Sequence, residues 1–350
     1  MKIVILTDTH AGARGDNIIL SKYFDKFYYD VFFPYLEKHN ITTMFHLGDI
    51  VEKRKTINYV TLRHLNKFVK KCNEMNLDQH YIVGNHDDFY KNTNEVNALK
   101  ELYNHSSYKI KVYENPEDIV IDDTMITMMP WICSDNYTEC MDHIQNTKSQ
   151  VLMGHLEIQG FEMYRGSPNT HGLKTSVFNK FELVCSGHFH HRSSKGNISY
   201  LGSPFEIVWS DWNDPRGFHV FDTKTREIEY IENPYKLFHK HYYDDSISSL
   251  EELTLLNEED FSDKYVKLIV KHKSNQHWFD VVFDKIENFG VIDLKIIEDH
   301  TLDISDDVID ADVEDTRSLL RSTIDELNTD VDKLELTVFM DGLYNKASSI

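Results

Sequence analysis

Five short apolar runs in this chain each stop at side chains able to hold a metal ion. "ILTDTH" ends at Asp8 and His10, "FHLGD" at Asp49, "YIVGNHD" at Asn85 and His86, "VLMGH" at His155, and "LVCSGHFH" at His188 and His190. Nearly continuous apolar runs of this length read as strands buried on both faces, and helical periodicities between the early ones make them βαβ units. The carboxyl ends of strands in such a sheet form one ligand-binding edge, so residues spread over roughly 180 positions are predicted to converge on one site. Taken alone, His155 reads as a satisfied polar group at the edge of a core; its company is what makes it a candidate ligand.

The spacing supports metal chemistry. Asp8 and His10, like His188 and His190, are two apart, which in extended backbone points both side chains the same way. Glycine stands directly before Asp49, Asn85, His155 and His188, where it permits a tight strand-to-loop turn and close backbone approach. Mixed oxygen and imidazole ligands at Asp8, His10, Asp49, Asn85, His155, His188 and His190 are too many for one tetrahedral zinc. They suit two ions sharing the Asp49 carboxylate, about 3.5 to 4 Å apart, the arrangement that stabilises attacking and leaving oxygens in phosphoryl chemistry.

The rest of the chain fits an α/β (α+β) enzyme. Apolar spacing predicts helices over 18–38, with Pro34 kinking or ending the first, and over 59–75. Later runs ("DIVIDDTMITMMPW", "NISYL", "GFHVFD", "EIEYI") predict a second sheet packed on the first. A length of 350 residues implies a main domain with smaller additions. No apolar run approaches the ~20 residues of a membrane span, and "MKIVILTDTH" reads as a first strand rather than a signal peptide. Cys72, Cys133, Cys140 and Cys185 have no CxxC spacing, which predicts reduced structural thiols and a cytoplasmic protein. A net charge of −21 excludes a generic nucleic-acid coat, so any attraction for phosphate must be local.

In this order, D-x-H, G-D, G-N-H-D, G-H and G-H-x-H resemble the calcineurin-like metallophosphoesterase superfamily. The flanking words "TDTHAGARGDN" and "YLGSPFEIVWSDWNDPRGFHVFD" narrow the resemblance to the SbcD family of DNA double-strand-break nucleases. It covers residues 1 to about 230, the remainder being matched by organisation more than by motif. The resemblance implies a two-sheet β-sandwich flanked by helices, with Asp8, His10, Asp49 and His190 on one ion and Asp49, Asn85, His155 and His188 on the other. The family is usually active with manganese; the residues themselves do not choose among manganese, magnesium, iron and zinc. His86 is then the general acid for the leaving sugar oxygen. Where many relatives carry histidine, this chain has Glu52, which is predicted to pair with His86 and raise its pKa; the alternative is a solvated loop glutamate.

The implied organisation is a nuclease domain over 1–234, a small α+β capping domain over 235–297 that positions DNA, and an acidic linker over 298–315. A helical tail over 316–350 would dock an SbcC-type coiled-coil ATPase, or else pack back on its own domain. The family also forms homodimers through nuclease-domain helices, for which 59–75 and 93–103 are the candidates here. Lys53, Arg54 and Lys55 follow the Asp49 loop and are candidates for holding DNA phosphates, the alternative being a solvated charge run. His46 reads as structural, and His171, His191, His219 and His239 match no ligand position. Trp209 and Trp212 could stack bases or cover a core edge. The function expected is metal-dependent DNA phosphodiester hydrolysis, with a small-molecule phosphodiesterase or phosphatase as the alternative.

Overall fold

The computed structural model describes residues 1–103, 108–164 and 166–298, together with 324, 333, 336 and 340. Two six-stranded sheets make its centre. The first has the spatial order Ile228–Glu232, Gly217–Asp222, Lys2–Leu6, Thr43–His46, Asp78–Ile82, Ile110–Tyr113; its last four strands are parallel and the first two join antiparallel. The second runs Ser193–Lys195, Ile198–Tyr200, Leu183–Gly187, Val151–His155, Thr124–Met129, Glu117–Ile121, with its four inner strands parallel.

Alternation along each strand explains the layering. Ile3 and Ile5 face the other sheet, where they meet Phe45, Leu47, Ile82, Val151 and Met153 in one core. Val4 and Leu6 point the opposite way, into helices carrying Phe27, Phe32, Leu65 and Phe68. A strand apolar at every position is thereby buried on both faces. On the far side of the second sheet, Leu152 and Val184 pack with Cys140, Ile144 and Phe178. All four cysteines are buried and free.

The first long helical stretch does not end at Pro34. A helix over Ile18–Phe27 passes through one π turn at Tyr28–Phe32, in which the Phe33 N–H reaches the Tyr28 carbonyl, and continues over Phe33–His39. Pro34 occupies the opening turn of the last piece, where its missing N–H is least costly, and the wider turn before it absorbs the misfit.

A third sheet of three parallel strands, Phe238–Asp244, Tyr265–His272 and Asp293–Ile297, has its own core. Val266, Leu268 and Val270 pack there against Phe279, Val282 and Ile286 of the helix Gln276–Glu287. It joins the main body at one seam. The buried Glu206 carboxylate accepts the Leu237 and Phe238 N–H groups at 2.6 and 3.0 Å, and Trp209 packs 4.7 Å from the Phe238 ring. Trp209 therefore covers a core edge. Of the 316–350 tail, Ile324 is buried and Lys333, Leu336 and Met340 are half-buried; the remainder of that region, with its docking role, lies outside the described residues, as does most of the 298–315 linker.

Candidate metal centre

Register brings the strand ends level. Leu6 pairs with His46, so Asp8 follows at the height of Gly48 and its N–H reaches the Gly48 carbonyl at 3.0 Å. Gly187 pairs with His155 on the facing sheet, which sets His188 one residue beyond the level of His155. The chain then turns so sharply that Asp8, His10, Asp49 and His188 adopt left-handed backbone, with φ of 51°, 43°, 55° and 89°. Non-glycine residues held there cost about 1–3 kcal/mol each and are characteristic of functional sites. Gly48 has φ 95°, and a Cβ on it would fall 2.4 Å from His155 Nδ1. A Cβ on Gly187 would lie 2.0 Å from Thr7 Oγ1. Only glycine lets these loops approach.

All seven predicted ligands and His86 meet at this edge. Asp8, His10 and His190 have donor atoms within 4.8 Å of one another, as do Asp49, His155 and His188, and as do His10, Asp49 and His86. Asp49 stands between the groups, its Oδ2 3.3 Å from His155 Nε2 and 3.8 Å from His10 Nε2. Asn85 Oδ1 lies 2.8 Å from His155 Nε2 and 2.9 Å from His188 Nδ1. Asp8, His10, Asp49, Asn85 and His155 are all essentially inaccessible to solvent.

The donor set fits divalent cations. His155 Nδ1 donates to the Leu47 carbonyl at 2.7 Å, which turns its Nε2 lone pair inward, and His10 Nδ1 lies 2.8 Å from Glu52 Oε2. Outer partners of this kind fix the tautomer and raise the basicity of metal-binding imidazoles. His10 and His190 meet Nε2 to Nε2 at 2.9 Å, a separation at which two lone pairs need a proton or a cation between them. Burial raises the Asp8 carboxyl, and the Asp49 charge adds to the shift. Burial also works against ionised Asp49, but the imidazoles of His155, His86 and His10 outweigh it and hold that carboxyl well below its ordinary value. His155 is raised, since Asp49 and Asp8 overcome its desolvation. A cation would displace the protons so retained, as metal binding to such ligands does.

Glu52 divides its contacts. Its main-chain carbonyl accepts from His86 Nδ1 at 2.7 Å, while its carboxylate sits beside His10. Where a contact between the Glu52 side chain and His86 was anticipated, the structure shows a main-chain one to His86 and sets the carboxylate beside a different imidazole, His10. In the basic run, Lys53 Nζ is paired with Asp16 Oδ2 at 2.6 Å and Lys55 lies over the Phe89 ring. His46 is structural: Nε2 meets Thr9 Oγ1 at 2.9 Å, and burial pushes its pKa down to about 3.

Two residues escaped the sequence reading. Asp87 accepts the N–H groups of Asp49, Ile50, Val51 and Gly84 at 2.8 to 3.2 Å, and so holds the Asp49 loop in its turn. Its position as the fourth member of G-N-H-D was the available signal. Trp131 lies half-buried with its ring 4.9 Å from His188 and 6.0 Å from His155; nothing in "MMPW" marks it.

The family model for calcineurin-like phosphoesterases matches residues 1–192. The chain is 31% identical to exonuclease subunit 1 of Enterobacteria phage T4, over 99% of this chain and 100% of that protein. It is 29% identical to the SbcD component of the SbcCD nuclease of Staphylococcus epidermidis over 190 residues, 47% of this chain and 51% of that protein. The solved structure of a dimetal phosphatase from Danio rerio is 11% identical, with a TM-score of 0.38 over 67% of this chain and 97% of that one.

Proposed function

The chain belongs to the calcineurin-like phosphoesterase family, and on that premise we propose that it is a metal-dependent DNA nuclease that hydrolyses phosphodiester bonds at the edge shared by its two sheets. The observation that carries this reading is the convergence of three acid and imidazole groups around Asp49. Whole-length similarity to the phage exonuclease subunit favours DNA over a small ester. Asp8, His10, Asp49 and His190 would hold one divalent ion and Asp49, Asn85, His155 and His188 the other, manganese being the expected metal. Bound there, the ions would supply Lewis-acid polarisation of the phosphate and an acidified water.

The remaining work belongs to the chain itself. Asp87 holds the Asp49 loop, so the carboxylate shared between the two sets is fixed before substrate arrives. His86, with Nδ1 held by the Glu52 carbonyl, gives the proton on Nε2 to the leaving sugar oxygen. Arg54 and Lys55, with Lys53 when it exchanges Asp16 for a phosphate, steady the DNA backbone. The third sheet caps the edge and positions the duplex. Residues 316–350 engage an SbcC-type ATPase, two copies associate through nuclease-domain helices, and the complex works in the cytoplasm of a bacterial host. No helix among the described residues is long and apolar enough to cross a membrane.

Assaying the purified chain with manganese on linear duplex, single-stranded DNA and bis-p-nitrophenyl phosphate tests the proposal. Metal-dependent cleavage of DNA is expected. Turnover of the small diester with both DNA substrates intact would replace the nuclease by a small-molecule phosphodiesterase.

A further inference from the structure

The segment "WSDWNDPRGF" takes no direct part in the proposed chemistry, yet its one arginine touches a candidate ligand. Arg216 has a side chain only 2% exposed. One arm of its guanidinium, Nη2, bonds Asp211 Oδ1 at 2.9 Å and Asp214 Oδ2 at 2.8 Å, and the other, Nη1, donates to the main-chain carbonyl of His190. That carbonyl also receives the Ser203 N–H at 3.2 Å. Asp214 continues the chain of contacts to the next residue, with Oδ2 2.9 Å from His191 Nδ1. The opposite oxygen of Asp211 is occupied by the N–H groups of Ile207 and Val208.

We propose that Arg216 is a positioning residue for His190: its planar fork, braced by two aspartates, fixes the His190 main chain and through it the place of that imidazole in the ion site. A buried arginine satisfied on both arms cannot shift without leaving charge unpaired, so the carbonyl it grips is held as firmly as the fork itself. Lysine can keep the charge but not the fork. Glu206 and Trp209, a few residues earlier on the same segment, hold the third sheet. One short stretch therefore anchors the capping sheet at one end and His190 at the other.

This inference rests on His190 being an ion ligand, and its test separates the two ideas. Metal-free full-length wild type, Arg216→Lys and Asp214→Asn are titrated with manganese calorimetrically, with circular dichroism and melting recorded on each. The wild type is expected to take two ions. Arg216→Lys should bind one of them about 10- to 100-fold more weakly and the other normally, the usual effect of removing an outer-shell partner, and its nuclease rate should recover as manganese is raised. Asp214→Asn should shift the same ion in the same direction by less. A folded Arg216→Lys protein that binds both ions with wild-type affinity overturns the positioning role alone. A wild type that takes fewer than two ions overturns the site assignment, and the positioning role with it.

Discussion

Gly48→Ala measures how closely the two sheets must approach for this site to exist. The added Cβ would lie 2.4 Å from His155 Nδ1 and 2.9 Å from the Gly84 Cα. Ordinary carbon contacts sit near 3.5 Å, so the imidazole must retreat by about 1 Å. Retreat breaks the bond from Nδ1 to the Leu47 carbonyl and withdraws Nε2 from Asp49. Alanine at φ 95° adds about 1–2 kcal/mol of backbone strain, and overpacking adds about 1–3 kcal/mol. Destabilisation of about 2–5 kcal/mol is therefore expected from urea titration of the metal-free protein. A reacting constellation displaced by 1 Å loses about 100-fold in rate, so kcat should fall by that factor while manganese at the His155 side weakens. A folded Gly48→Ala protein with two wild-type manganese affinities and unchanged kcat would refute the claim that this approach sets the position of His155.

Other perturbations isolate single groups. His86→Ala should retain both ions and lose about 100- to 10,000-fold in rate, the range for general acid catalysis; because His86 also lies within reach of His10 and Asp49, loss of an ion on metal analysis would make it a ligand instead. Glu52→Gln removes the charge beside His10 but leaves the main-chain carbonyl on His86, so manganese affinity should drop about 10-fold while the alkaline limb of the rate profile stays in place; a shift of that limb without a change in affinity would return the carboxylate to His86. Burial pushes the Glu206 carboxyl from its ordinary 4.5 up to about 7. Its protonated form is therefore favoured in the folded chain, and the stability tied to it is present below about pH 4.5 and lost as pH rises through 7, some 3 kcal/mol in all. Glu206→Gln should flatten that decline between urea titrations at pH 4.5 and 8; parallel curves would show the carboxyl to be ionised throughout.

The convergence of the candidate ligand positions was legible because each couples an apolar run, whose burial is written in its composition, to a donor whose place at the strand end follows from the run's length, most with a glycine before it. That logic reaches backbone direction but not the choice between a residue's side chain and its carbonyl. Glu52 illustrates the gap: its proximity to His86 could be anticipated, whereas the main-chain contact depends on the ladder between the 8–11 and 49–52 loops. Asp87 was hidden for a related reason, since its role is to answer N–H groups that only the folded loop leaves without strand partners. Trp131 follows the strand Thr124–Met129, the neighbour of Val151–His155 in the same sheet, and no local pattern encodes which strands will lie side by side. At Pro34 the periodicity was right and an end to the helix was not found, because a single π turn carries the helix past the proline.

The left-handed backbone at Asp8, His10, Asp49 and His188 also sets a trap for anyone improving this protein. Glycine at Asp8, His10 or His188 would relax a strained residue, and at Asp8 it would also delete a charge that burial and Asp49 disfavour, whereas at Asp49 it would strip three imidazoles of the carboxylate they stabilise. Variant libraries ranked by heat resistance in the presence of a chelator would therefore enrich inactive molecules at the codons of Asp8, His10 and His188. With manganese in the medium the ranking should invert, because an ion bound only to the folded chain stabilises it by RT ln(1 + [L]/Kd), about 2.7 kcal/mol at a hundredfold excess over Kd, and only molecules that keep their ligands receive that gain.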